Sequence, residues 1–324
     1  MRASVAERWA QTRTFHHSLY SPARIAAARS ERGLGVSVCL LARECAQTVG
    51  DHVTALMRLR EAGAIDEIVV IDAGSANGTA AIAERAGAVV HLQDDLLPEL
   101  GPVLGKGDAM YRALTVLRGE VVCYLDAGTA GASAHYATGL LGPLVCEQGI
   151  EFVKAFYRRP LEHGGVSLPE GGGRVDHLLA RPALELFSPE LAAIRQPLAD
   201  EVAGRRELLE RVPFASGYGV EIGMLIDVWR EVGPGGIAQV DLDDEHRNRH
   251  QPLAALTPMA RTVLATIARR AQAQGRLTGV EIAESPVERP PLAGAARSGG
   301  RSGGLLTRAA DHDGMPSRGA PVGR

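Results

Sequence analysis

Three short apolar runs, each ending at a polar turn and each followed by a stretch with helical spacing, restrict this chain to an alternating α/β fold. Val36 to Leu41 precedes Ala46 to Ala62, where Val49, Val53, Leu56, Met57 and Leu59 share one helical face and Gly63 supplies the stop. Ile68 to Ile71 leads into a turn from Asp72 to Gly78, a helix from Thr79 to Ala86 and a further strand from Ala88 to Leu92. Val121 to Leu125 runs unbroken to Asp126, after which Ala127, Gly128, Thr129, Ala130 and Gly131 are all small. Strands and helices alternating at this spacing build βαβ units and a mostly parallel sheet. Ligands of such sheets bind beyond the carboxyl ends of the strands. Asp126 therefore stands where a nucleotide, a sugar or a metal is met, although a single Asp after a strand also suits a turn or a helix cap.

The 324 residues suffice for one large domain or two closely joined ones. A net charge of −3 leaves no basic field for nucleic acid or an anionic membrane. Cys39, Cys45, Cys123 and Cys146 show no CxxC spacing, and two of them lie in expected strands, which points to buried thiols in a reducing compartment. No apolar stretch approaches the roughly 20 residues of a membrane span, and the charged start is no signal peptide. The expectation is a cytoplasmic protein.

Residues 1–33 read as a helical leader, 34–160 as a nucleotide-binding α/β half, 161–284 as a second half of the same domain, and 285–324, rich in Pro, Gly, Ala, Ser and Arg, as a disordered tail. Gly101 to Asp108 is a loop before a helix from Ala109 to Leu117, and its Lys106 suits either a bound phosphate or solvent. A helix around His135 to Leu144 leads to a strand from Phe152 to Tyr157, closed by Arg158 and Arg159. The run of glycines ending in Gly173 and Arg174 resembles an anion-binding nest with a guanidinium, or equally a connector with an arginine at a helix start. Glu221 sits near the start of an apolar helix, where a carboxylate is often only favourable to the dipole. Ile237 onward gives a strand and then a polar run in which His246-x-Asn248 is too sparse for a zinc site, and a helix follows from Met259 to Ala273.

Taken together, the runs GKGDA, VKAFYRRPL, GGGRV, ARP, QPL, PFASGYGVEIGMLID, IAQV and HRNR resemble the glucosyl-3-phosphoglycerate synthase family, retaining glycosyltransferases of GT-A type, over roughly Gly35 to Ala273. The resemblance implies a Rossmann-like, mostly parallel sheet flanked by helices, with a carboxy-terminal acceptor-side subregion. It implies transfer of a sugar from a nucleoside diphosphate sugar to a small polar acceptor, and pairing into a homodimer. It places Asp126, Lys106 and Glu221 at the reaction, and Ala42, Arg43, Glu44 and Ala73, with Lys106 and Asp126, against the donor. Gly173, Arg174, Val175, Asp176 and Asn248 fall at the acceptor, and Asp126 with His246 would hold a divalent metal, Mg or Mn.

Several positions depart from the family pattern. Gly128 replaces the second carboxylate of the Asp-x-Asp motif, so the metal is expected to be held weakly. Arg43 would replace part of the lost charge, and Asp241, Asp243 or Asp244 would supply a ligand instead. Asp176 stands in place of a threonine in the acceptor segment. A carboxylate about 4 Å from a phosphate at an effective dielectric of about 20 is repelled by roughly 4 kcal/mol. These changes suggest a divergent member with a changed donor, such as a GDP-sugar, or a changed acceptor in a secondary-metabolite (antibiotic) pathway. Glucosyl-3-phosphoglycerate synthesis itself and a non-catalytic sugar-nucleotide-binding protein are the alternatives.

Overall fold

The computed structural model describes residues 5–130, 134–163, 166–168, 171–245, 252–283 and 286–293. The chain opens with α1 (Val5–Arg13), β1 (Thr14–His16) and α2 (Pro22–Arg32), and continues as β2 (Val36–Ala42), α3 (Val49–Glu61), β3 (Glu67–Asp72), α4 (Thr79–Ala86) and β4 (Val89–Leu92). Next come α5 (Lys106–Ala113), β5 (Val121–Asp126), α6 (Ala134–Cys146), β6 (Phe152–Arg158) and a small hairpin of β7 (Leu161–His163) and β8 (Val166–Leu168). A π-helical turn, Asp176–Ala180, opens α7 (Arg181–Phe187), and β9 (Val202–Arg205), α8 (Arg206–Arg211) and β10 (Phe214–Ala215) follow. The last elements are α9 (Val220–Gly236, broken at Gly233), β11 (Ile237–Glu245), α10 (Leu253–Ala273) and β12 (Glu288–Arg289).

Among the described residues the main sheet has eight strands in the order β1-β11-β6-β9-β5-β2-β3-β4. All its pairings are parallel except those of β9, which lies antiparallel between β5 and β6. The α/β expectation holds, and β9 is one of two sheet strands it missed: four residues ending in Gly204 and Arg205 carry too little periodicity to be seen. Side-chain alternation splits the core into two layers. Val121, Cys123 and Leu125 of β5 pack with α2, α3 and α6 on one face, while Val122 and Tyr124 pack with α5, α9 and α10 on the other. Both faces being covered explains why these strands read as unbroken apolar runs.

The amino-terminal segment is more than a helical leader. β1 pairs in parallel with β11 as an edge strand, and Trp9, Tyr20 and Ile25 are buried in the core. The boundary at 285 also shifts. Residues 286–293 pack on the domain, with β12 antiparallel to β10 and Arg289 bridging to both oxygens of buried Asp108 at 2.7 and 2.8 Å. The rest of that tail lies outside the described residues. Lys106 begins α5 rather than sitting in the preceding loop. At Gly107 an added Cβ would lie 1.9 Å from the Ala215 carbonyl oxygen, so only glycine lets α5 approach β10 closely enough to bring Lys106 beside the start of α9.

Candidate active site

A cavity of about 1160 Å³ opens at the carboxyl ends of the central strands. Its lining contains Ala42, Arg43, Glu44, Ala73, Lys106, Asp126, Gly173, Arg174, Val175, Asp176 and Glu221. Segments more than a hundred residues apart in sequence thus meet in one concavity. His246 and Asn248 lie outside the described residues.

The donor side is built from the ends of β2, β3 and β5. Glu44 adopts a left-handed backbone conformation, φ 55°, and its carboxylate accepts from the Ala76 amide at 2.8 Å, tying the loop after β2 to that after β3. Asp72 accepts from the Ser75 amide and hydroxyl, and the Ser75 hydroxyl accepts in turn from the Glu44 amide. Asp126 accepts from the Gly128 amide at 2.8 Å. Burial, reinforced by the negative charge of Asp200, raises the Asp126 carboxyl above the ordinary carboxylate range.

Lys106 is the centre of the site. Its ammonium contacts Asp200 at 2.5 Å and Glu221 at 2.9 Å. Burial works to lower its pKa, but Asp200, Glu221 and Asp126 outweigh that and hold it well above the usual lysine range. The group is a fixed positive charge at the first turn of α5, where the helix dipole adds to it.

The acceptor side carries Gly173 at φ 62°, which the tight entry into the π-helical turn requires. Asp176 is buried, accepts from the Leu198 amide at 2.8 Å and lies 3.7 Å from Arg159. Its second oxygen, Oδ2, is buried without a hydrogen bond. Burial raises its carboxyl, with Arg159 opposing the shift. Arg159 donates to the Tyr157 hydroxyl at 2.8 Å, which donates to Glu201 at 2.6 Å.

Two cavity residues were not expected from the sequence. Asp200 and Arg159 line the cavity but were not read as site residues. A signal existed for both, since Asp200 follows the QPL run closely and Arg159 lies inside VKAFYRRPL. The candidate replacement ligands fare differently. Asp243 bonds His16 at 2.7 Å, Asp241 lies 3.8 Å from Arg195, and neither lines the cavity.

Of the two expected metal ligands, Asp126 lines the cavity and His246 lies outside the described residues. Asp126 is in place, but Gly128 offers no oxygen, and a Cβ there would already meet Asp126 Oδ1 at 3.3 Å and Cys45 Sγ at 3.5 Å.

No protein-family model matches the chain. The glucosyl-3-phosphoglycerate synthase of Mycolicibacterium smegmatis is 42% identical over 267 residues, 82% of this chain and 86% of that protein. The crystal structure of mannosyl-3-phosphoglycerate synthase from Rubrobacter xylanophilus superposes with a TM-score of 0.82 at 41% identity, covering 90% of this chain and 98% of that one. Glucosyl-3-phosphoglycerate synthase from Mycobacterium tuberculosis, crystallised with Mn2+, UDP-glucose and phosphoglyceric acid, superposes with a TM-score of 0.74 at 36% identity, covering 85% of this chain and 95% of that one. The manganese in that structure supports a divalent cation as the cofactor class of these relatives.

Proposed function

The chain belongs to the glucosyl-3-phosphoglycerate synthase family of nucleotide-sugar-dependent glycosyltransferases, and from that premise we propose its reaction. It moves a hexosyl group from a nucleoside diphosphate sugar to a hydroxyl of a small polar acceptor, with retention of configuration. The observation that carries this reading is Lys106, held between Asp200 and Glu221 in a cavity shared with Asp126 and the Gly173–Asp176 segment.

The donor lies over the ends of β2, β3 and β5, against Ala42, Arg43, Glu44 and Ala73, with its diphosphate at Lys106. As the bond from the anomeric carbon to the diphosphate oxygen breaks, negative charge grows on the leaving phosphate. The permanently protonated Lys106 and the amides of the first turn of α5 stabilise it. The acceptor hydroxyl adds to the same face of the anomeric carbon, and its proton passes to the departing phosphate oxygen. Asp126 and Glu221 accept hydrogen bonds from sugar and acceptor hydroxyls and fix their approach. Gly173, Arg174 and Val175 cradle the acceptor, and Asp176 shapes its far end. His246 as a metal ligand and Asn248 as an acceptor contact remain part of the proposal.

Glucosyl-3-phosphoglycerate synthesis itself is the second reading, favoured by the 42% identity to an enzyme of that name and by Arg174 in the cavity wall. Asp176 stands against it, because its carboxylate uses up the charge of Arg159 beside which a phosphate would sit. The relatives' names say nothing of a secondary-metabolite pathway, and that expectation is not carried forward.

Incubating the purified chain with UDP-glucose or GDP-mannose, with and without 3-phosphoglycerate, separates the readings. Nucleotide release only with an added polyol or sugar acid, and an α-linked product from an α-linked donor, is the expected result. Efficient release with 3-phosphoglycerate alone would establish the second reading, and inversion at the anomeric carbon would overturn the retaining mechanism. Among the described residues no helix is long and apolar enough to cross a membrane. Cytoplasmic residence and homodimer formation are parts of the proposal, the latter supported by Leu178 and Leu186, 77% and 76% exposed on neighbouring helical turns. Sedimentation velocity tests the dimer.

A further inference from the structure

A cluster unrelated to the transfer chemistry lies where the amino-terminal segment meets the end of β11. His16 Nε2 is 2.7 Å from Asp243 Oδ2, and His17 Nε2 is 3.9 Å from the same oxygen. One ligand atom from each of the three residues falls within 4.8 Å of the others. Metal-bound donors about 2.0–2.2 Å from a tetrahedral centre lie a little over 3 Å apart, so these separations need only small side-chain adjustments. All three side chains keep a path to solvent, being 39%, 23% and 65% exposed. We propose that His16, His17 and Asp243 form a second site, separate from the sugar-nucleotide cavity, that binds a divalent transition metal of the zinc type.

The surroundings orient these groups as outer-shell partners orient metal ligands. His16 Nδ1 lies 2.7 Å from the Ser18 hydroxyl and 3.3 Å from the Ser18 amide. Without a metal the Ser18 amide donates to Nδ1 and the ring proton sits on Nε2 facing Asp243; zinc at Nε2 moves that proton to Nδ1, where the Ser18 hydroxyl accepts it. His17 packs its ring against His135 at 4.6 Å, and His135 Nε2 is held 3.1 Å from the Leu242 carbonyl oxygen. Asp243 is one of three non-glycine residues described with a left-handed backbone, φ 58°, and its amide bonds the Asp241 carboxylate at 3.0 Å. The neighbouring cation, Arg158, spends a donor on the Asp243 carbonyl at 3.1 Å rather than on its carboxylate.

Two imidazoles and one carboxylate suit zinc and its first-row neighbours better than magnesium or calcium, which prefer all-oxygen sets. With three protein ligands, the remaining position would be taken by water. The site is set apart from Asp126, because β11 and β5 are three strand spacings apart in the sheet, about 14 Å. A metal here would clip β1 to the end of β11.

The test uses the full chain stripped with chelator and titrated calorimetrically with zinc alone. The expected result is one zinc equivalent that persists in Asp126→Asn, is lost in Asp243→Asn and His17→Ala, and is weakened about tenfold in Ser18→Ala, which keeps all three ligands. Zinc should also raise the melting temperature of the parent chain and not that of Asp243→Asn. Cobalt substitution should give the visible absorption of a low-coordinate nitrogen and oxygen site. No zinc uptake, uptake unchanged in both Asp243→Asn and His17→Ala, or uptake abolished by Asp126→Asn overturns the proposal. Asp243→Asn is nearly isosteric and exposed, so its melting curve without zinc separates a lost ligand from a lost fold.

Discussion

Against the family pattern that the sequence resembles, the two rims of the cavity differ in opposite directions, one lacking a carboxylate and the other carrying an extra one. On the donor rim Gly128 stands where the family pattern has a carboxylate, and its amide instead supports Asp126. On the acceptor rim Asp176 stands where the pattern has a hydroxyl, and its buried carboxylate lies 3.7 Å from Arg159. Between them Lys106 keeps its place against Asp200 and Glu221. On the proposed reaction, the lysine that would meet the leaving diphosphate is held in place, while the positions expected to select a metal and an acceptor differ from the family pattern. A fixed lysine can stabilise phosphate charge by itself, whereas a phosphate acceptor needs an uncommitted guanidinium.

The largest expected effect lies between the rims. Lys106→Ala should lower kcat/KM by about a hundred- to a thousandfold, the scale of removing one charge-stabilising donor. It should also weaken calorimetric binding of the nucleoside diphosphate, and Lys106→Arg should recover part of both. Unchanged affinity would mean that the diphosphate sits elsewhere. On the acceptor rim, Asp176→Thr frees Arg159 and removes a like charge. Its KM for 3-phosphoglycerate should fall by at least tenfold, less than the full unscreened term of about 4 kcal/mol would give. An unaltered KM would take Asp176 out of the acceptor site.

A smaller effect belongs to the donor rim. The parent enzyme should keep most of its activity in chelator, while Gly128→Asp should become chelator-sensitive and be restored by manganese several-fold. An added Cβ meets Cys45 Sγ at 3.5 Å, ordinary contact, and Asp126 Oδ1 at 3.3 Å, so the variant fits with a slight adjustment. Full loss of parent activity in chelator, restored by stoichiometric manganese, would show that the donor rim has not lost its metal.

Much of this comparison was legible in the sequence because parallel strands buried on both faces announce themselves as apolar runs, and their ends mark the ligand rim. Asp126 follows directly from that rule, whereas Arg43 and Ala73 were implied by the family resemblance. Lys106 and Glu221 were legible as types but not as partners, since an ion pair between α5 and α9 depends on how closely Gly107 lets α5 approach β10. Asp200 and Arg159 lie beside or inside the recognised runs, but their roles depend on contacts between distant segments, Asp200 with Lys106 and Arg159 with Asp176. The acceptor rim is built from turns and a π-helical turn, whose geometry is set by packing rather than by residue spacing.

Under the acceptor rim lies the smallest effect, and it is a pH effect. Lys154 on β6 is buried and donates to the Ala199 carbonyl at 2.6 Å, next to the turn that carries Asp200. Burial lowers its pKa from 10.5 to about 8, with Glu221 and Asp176 partly opposing the shift. Because the fold prefers the neutral amine, the unfolded chain binds more protons between pH 8 and 10.5, and this group's contribution to stability rises with pH across that window. Lys154→Met removes the buried cation and leaves the Ala199 carbonyl without its donor, a loss of about 1–3 kcal/mol that does not depend on pH. The parent chain should therefore gain melting temperature on the variant as pH rises from 8 towards 10.5, by a few degrees, whichever of the two melts higher at pH 7. Parallel melting curves across that window would show that Lys154 does not titrate there. The acceptor turn would then rest on a charged lysine compensated by Glu221 and Asp176, and Asp176→Thr would remove one of its counter-charges.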